Sequence, residues 1–251
     1  MTVGPAVTDR RPAPPPYRTV AFDCDSTLST IEGIEDLAGE RLGEIAAMTE
    51  RAMEGEIRLE EVYGARLELL RPTRAEVERV GRRYVETALP HARELVAALR
   101  ALGKRVCITS GGLLPPVRAL ARAIGVEDAD VFAVDVHHDA EGAYTGFEED
   151  SPLARAGGKL EVLGRLAAES GPVALVGDGA TDLEALPVVA RFVAFGGVAR
   201  REAVFAGADR TCDQPDLAAL LPLLVDDLEV TELRESAGHA RLVEAALAYY
   251  R

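Results

Sequence analysis

The stretch Thr19-Val20-Ala21-Phe22-Asp23-Cys24-Asp25-Ser26-Thr27 sets a short apolar run directly against two carboxylates spaced two residues apart. An apolar run of strand length without polar alternation predicts a strand covered on both faces, as in a parallel sheet flanked by helices. Residues two apart on an extended segment point the same way, about 6.5 Å apart. Asp23 and Asp25 can therefore address one small centre at the end of that strand. Carboxylates this close repel unless a cation or a shared proton relieves them. The same residues would also make a solvated acidic turn or a helix N-cap.

Working outward, three more runs of the same kind cover residues 105–109, 173–176 and 191–195. The first leads into Thr109-Ser110-Gly111-Gly112. Its glycines let backbone N–H groups approach an anion, and a helix predicted to begin near residues 113–116 adds its positive end. A plain strand-to-helix turn would read the same way. The run at 173–176 leads into Gly177-Asp178-Gly179-Ala180-Thr181-Asp182, where Asp178 suits a hard cation, or simply decorates a capped turn. Lys159 follows Gly157-Gly158 at the start of a helical pattern, an electrostatically unfavourable place for a cation. Lys104 and Lys159 are the only lysines, so a site needing a slim ammonium has two places to find one; a surface lysine is the plain alternative. All four clusters fall at or beyond the C-terminal ends of predicted parallel strands, where ligands bind in open α/β sheets. Together they hold the parts that phosphoryl transfer requires: a nucleophile, an acid, anion donors, a cation and a metal ligand.

Between residues 30 and 91 the strand rhythm gives way to helical patterns only, with a helix start at Pro72-Thr73. An all-helical insert after the first strand predicts a small cap over the mouth of the sheet. Residues 131–147 read as a hairpin turning near residues 139–142. Residues 231–251 read as one amphipathic helix with Leu242, Val243, Leu247 and Tyr250 on a face that docks on the body. The predicted division is a proline-rich disordered leader (1–17), an α/β core (18–31 and 92–225), a helical cap (32–91) and a C-terminal helical extension (226–251).

The 251 residues are 48% hydrophobic and 28% charged, ordinary for a globular protein. The net charge of −14 argues against a nucleic-acid partner, because phosphate backbones call for a basic surface. No apolar run is long enough to cross a bilayer, and no secretory signal pattern opens the chain. Three widely spaced cysteines, Cys24, Cys107 and Cys212, suit free thiols in a reducing compartment. The expectation is a cytoplasmic protein without membrane partners.

The order Asp23-x-Asp25-x-Thr27, Ser110, Lys159, Gly177-Asp178-Gly179-x-x-Asp182 resembles that of the haloacid dehalogenase superfamily. The stretches FDCDSTLSTIEGIEDLA from Phe22, AMEGE from Ala52 and GDGATDLEA from Gly177 resemble its phosphoserine phosphatases. The resemblance spans about residues 20–224. It implies a doubly wound, Rossmann-like parallel sheet with a helical cap inserted after the first strand. It also implies a Mg²⁺-dependent phosphomonoesterase of serine biosynthesis, acting on O-phosphoserine, with a homodimer as one assembly. By resemblance, Asp23 is the nucleophile that becomes an acyl phosphate, and Asp25 is the general acid and then base. Asp23, the Asp25 carbonyl and Asp178 hold Mg²⁺, with Asp182 supporting them. Ser110, Gly111 and Lys159 hold the phosphoryl oxygens, and Thr181 lies near phosphate or substrate. In the cap, Glu32 meets the substrate ammonium, Arg66 grips its carboxylate and Met53 closes over it. Leu59 stands where many relatives carry an aromatic. Ordinary surface charge is the alternative for Glu32 and Arg66.

Three other functions share parts of this pattern. A phosphatase or phosphotransferase acting on another small phosphorylated amino acid or alcohol would keep the same chemistry. A phosphorylatable receiver domain would need neither the acid at Asp25 nor a cap. A dehalogenase would leave Asp25 idle, because halide departs without a proton.

Overall fold

The structure is a computed structural model, and it describes residues 15–53 and 59–250. Its centre is a parallel sheet of six strands in the order β3-β2-β1-β6-β7-β8. These are β1 (Thr19–Phe22), β2 (Arg105–Leu113), β3 (Val131–Val134), β6 (Val173–Gly177), β7 (Arg191–Phe195) and β8 (Arg210–Cys212). The remaining two strands, β4 (Val136–His138) and β5 (Tyr144–Phe147), form a separate antiparallel hairpin. β1 lies in the middle, pairing β2 on one side and β6 on the other, so its C-terminal end opens at the centre of the sheet's edge.

Continuous apolar runs become strands here because both sheet faces are covered. Val20 and Phe22 join the core on one face with Val106, Ile108, Ala174 and Val176. Ala21, Cys107, Val173 and Leu175 pack on the opposite face. The helices on the sheet are α5 (Ala92–Ala101), α6 (Leu114–Ile124), α7 (Gly158–Ser170), α8 (Ala180–Glu184), α9 (Glu202–Gly207) and α10 (Leu221–Leu224). β2 runs four residues past its expected end and shifts register against β3 between Thr109 and Leu113. Ser110, Gly111 and Gly112 thus lie on an irregular strand end rather than in a loop.

The helices that follow β1 are α1 (Gly33–Ala38), α2 (Leu42–Met53), α3 (Leu59–Leu70) and α4 (Arg74–Glu86). Thr73 starts α4 through a reciprocal capping box with Glu76. α4 packs directly on the sheet's own helix α6: a Cβ at Gly81 would lie 3.1 Å from Ala119 and 3.4 Å from Pro116.

The C-terminal region is two helices, α11 (Asp227–Glu235) and α12 (Ala240–Ala248), rather than the one expected. Asp226 caps α11, and the chain turns at residues 236–239, where Gly238 offers no helical preference. Leu242, Val243 and Ala246 are buried against the body, and the Tyr250 hydroxyl donates to the Ala219 carbonyl at 2.7 Å. Beneath α11, Lys104 Nζ donates to Glu229 Oε1 at 2.5 Å and to the Tyr17 carbonyl at 3.0 Å. Among the described residues, no helix is long and apolar enough to cross a membrane.

Candidate active site

Asp23 follows β1 immediately, its N–H donating to the Val176 carbonyl at 2.9 Å. One carboxylate oxygen, Oδ1, accepts from Cys24 N–H at 2.7 Å, and the other, Oδ2, meets Lys159 Nζ at 2.8 Å. Lys159 opens α7 and reaches inward, its second partner being Asp182 Oδ1 at 2.6 Å. Burial works against charge on this lysine, but Asp182 and Asp23 outweigh it and hold the ammonium protonated. A cation misplaced at a helix start is thus explained by two buried carboxylates.

Asp182 in turn accepts from Gly179 N–H at 3.0 Å through Oδ2. It fits only because Gly177 is bare: a Cβ there would stand 2.3 Å from the Asp182 carboxyl carbon. Asp178, at the end of β6, accepts from Thr27 Oγ1 at 3.0 Å. That bond ties the loop beyond β1 to the loop beyond β6.

Asp25 has a different set of partners from Asp23. Its Oδ1 accepts from Tyr84 Oη at 2.5 Å and from Gly33 N–H at 2.7 Å, and its Oδ2 accepts from Ser110 Oγ at 3.4 Å. The Ser110 hydroxyl also accepts from Gly112 N–H at 2.9 Å. Burial, reinforced by Asp23 and Glu32, pushes the Asp25 carboxyl up to about 7, against the donors Tyr84 and Gly33. Neighbouring Cys24 is a buried thiol whose pKa burial and the Asp25 and Asp23 carboxylates push well up, which leaves it unreactive.

Asp23, Asp178 and Asp182 each bring a carboxylate oxygen within 4.8 Å of the others. Buried oxygen donors of this kind fit a hard divalent cation such as Mg²⁺. All three carboxylates also meet donors of the chain: Asp182 takes Lys159 and Gly179 N–H, Asp23 takes Cys24 N–H and Lys159, and Asp178 takes Thr27 and Arg201. The Asp25 carboxylate lies outside this group.

Two residues that sequence reasoning passed over belong to the same neighbourhood. The Arg201 guanidinium contacts the Asp178 carboxylate closely and lies 3.7 Å from Glu32 Oε1. It comes from the segment before α9, and an arginine beside another arginine carries no sequence signal. Tyr84, near the end of α4, carries no local signal either; only the fold shows its hydroxyl on Asp25.

The other residues named by the resemblance are spread more widely over the elements. Glu32 precedes α1 and accepts from Ser26 Oγ at 2.6 Å. Arg66 is half-buried on α3, its pKa lowered by burial while Glu35 and Tyr63 oppose the shift. Thr181 stands exposed at the start of α8. Gly111 sits on the irregular end of β2. The side chains of Met53 and Leu59 lie outside the described residues.

Residues 17–189 match the family described as haloacid dehalogenase-like hydrolase. The chain is 36% identical to phosphoserine phosphatase of Rattus norvegicus, over 74% of this chain and 84% of that one. It is 38% identical to the chloroplastic phosphoserine phosphatase of Arabidopsis thaliana, over 76% and 66%. The chain belongs to the phosphoserine phosphatase family of haloacid dehalogenase-like hydrolases. A solved structure described as a phospho-aspartyl intermediate analogue of phosphoserine phosphatase superposes with a TM-score of 0.67 at 26% identity, covering 84% of this chain and 99% of that one. The parallel sheet here carries Asp23 and Asp178 just beyond the C-terminal ends of β1 and β6.

Proposed function

We propose that the protein hydrolyses O-phosphoserine to serine and inorganic phosphate through a phosphorylated Asp23. The observation that carries this reading is the division of labour between two neighbouring carboxylates. Asp23 is held by Lys159, 2.8 Å away, while Asp25 is held by Tyr84 and Gly33 N–H and has its pKa pushed up to about 7, chiefly by burial. A carboxyl whose pKa is raised toward the working pH is suited to give a proton and take it back.

In the first step an Asp23 oxygen forms a bond to phosphorus as the bond from phosphorus to the serine oxygen breaks. Asp25 gives its proton to that departing oxygen. In the second step water attacks the phosphorus of the acyl phosphate and its proton passes to Asp25, which frees phosphate and restores both carboxyls. Ser110, the Gly111 backbone and Lys159 hold the phosphoryl oxygens and balance the charge on them as it shifts. Mg²⁺ bound by Asp23, the Asp25 carbonyl and Asp178 would supply positive charge beside the phosphoryl group, with Asp182 fixing Lys159. In the cap, Glu32 meets the substrate ammonium and Arg66 its carboxylate, with Met53 closing over it; Thr181 borders the phosphate.

A phosphate-release screen across phosphorylated amino acids, sugars and alcohols tests the substrate, run with and without acceptor alcohols. Phosphoserine should lead, with phosphate released in step with serine. Preference for a phosphate lacking the amino acid head, or phosphate appearing on the acceptor instead of free, would overturn it.

A further inference from the structure

Asp25 presents its two oxygens to different surroundings. Oδ1 accepts two donors, Tyr84 Oη at 2.5 Å and Gly33 N–H at 2.7 Å. Oδ2 faces the Ser110 hydroxyl at 3.4 Å, on the side where the phosphoryl group is proposed to lie. A protonated carboxyl has one carbonyl oxygen and one hydroxyl oxygen. Two donors pointed at Oδ1 make it the carbonyl oxygen and leave the proton on Oδ2.

The phenol is built into this place. Tyr84 is 1% exposed and sits in the last turn of α4. Just beyond it the chain is fastened to the loop after β1: Thr30 N–H donates to the Thr87 carbonyl at 3.1 Å, and Leu89 N–H to the Leu28 carbonyl at 2.9 Å. The Ser29 and Thr87 hydroxyls lie 2.7 Å apart. Room for the hydroxyl is made by glycine, since a Cβ at Gly33 would lie 2.2 Å from Tyr84 Oη. At Gly112 a Cβ would lie 3.4 Å from Tyr84 Oη and 3.2 Å from Asp25 Oδ2.

We infer that Tyr84 is a positioning residue that fixes the Asp25 carboxyl with its transferable proton on the oxygen facing the substrate. It acts through Asp25 and touches no reacting atom. This rests on Asp25 being the general acid, and the test separates the two claims.

A serine oxygen needs a proton to depart, whereas p-nitrophenolate leaves well without one. The readout is the first-turnover rate of leaving-group release, measured by rapid quench with phosphoserine and with p-nitrophenyl phosphate. General acid catalysis contributes roughly 10²–10⁴-fold, so Tyr84→Phe should lower the phosphoserine to p-nitrophenyl phosphate ratio by about tenfold or more. Asp25→Asn should lower that ratio further. Gly33→Ala, which displaces the phenol while keeping it, should move the ratio the same way and serves if Tyr84→Phe does not fold. An unchanged ratio in the Tyr84 and Gly33 variants, with a fall in Asp25→Asn, overturns the role of Tyr84 alone. An unchanged ratio in Asp25→Asn overturns the acid assignment, and the inference with it.

Discussion

Lys159 and Asp182 form a buried ion pair, Nζ to Oδ1 2.6 Å, with side-chain exposures of 5% and 0%. It joins the start of α7 to the start of α8 and sets the height at which the ammonium meets Asp23. Lys159 also meets Asp23, so it is loss of the lysine that strands a buried charge, that of Asp182, at a cost of about 3–5 kcal/mol. Lys159→Ala should therefore destabilise the fold by about that amount in urea denaturation. A change under about 1 kcal/mol would mean that the pair behaves as if exposed.

Asp23→Asn should abolish turnover while the protein stays folded, because an amide nitrogen cannot form the acyl phosphate. Phosphate release and circular dichroism check the two halves of that statement. Substantial activity in the folded variant would rule out covalent catalysis at Asp23.

Arg66→Ala should impair phosphoserine hydrolysis more than hydrolysis of an aryl phosphate lacking a carboxylate. Loss of a charge-assisted hydrogen bond costs about 1.5–3 kcal/mol, so kcat/KM for phosphoserine should drop by roughly ten- to a hundredfold. Equal losses on the two substrates would remove the clamp.

Chelation should eliminate activity and Mg²⁺ should restore it. A readout independent of turnover is the thermal midpoint, which a ligand bound only by the folded state must raise. Mg²⁺ should raise it in the wild type and have no effect in Asp178→Asn. The same rise in both proteins would place the ion elsewhere.

Asp25 also gives a pH prediction. Its folded pKa is raised from 3.8 to about 7, so between those values the native state holds a proton that the unfolded chain has shed. The stability it contributes is complete below the unfolded value and is lost as pH rises through the folded one. Wild type should therefore lose stability relative to Asp25→Asn from about pH 4 to 7, and run parallel to it above. Parallel curves across the whole range would show an unperturbed carboxyl.

Much of the fold could be read from the chain because the strands advertise themselves. The runs at 19–22 and 191–195 became β1 and β7 with those bounds, since a strand covered on both faces leaves no polar residue to blur its ends. The Thr73 start of α4 was equally plain, its cap being a local bond between neighbours. Where tertiary contacts decide, the reading went astray. The end of β2 continues because β3 is there to pair with it, and the C-terminal segment breaks where α11 must turn to let α12 dock.

The site divides along the same line. Asp23, Asp25, Ser110, Lys159, Asp178 and Asp182 could be listed together because each sits beside a strand end or a glycine turn. Nothing local marks Tyr84 or Arg201. One is an aromatic on a helix 59 residues from Asp25, and the other reaches Asp178 from the segment that follows β7 in the chain. Long-range hydrogen bonds of this kind leave no imprint on neighbouring residue types.

Both lysines of this protein are enclosed, with side-chain exposures of 3% at Lys104 and 5% at Lys159. Its fixed side-chain cations on the exterior are therefore guanidinium groups. Reagents that acylate lysine should spare both side chains in the folded molecule and label them only as it opens. Modification at Lys104 would then report α11 lifting from the sheet, and modification at Lys159 would report the catalytic carboxylates coming apart, so one chemical label can time two separate openings.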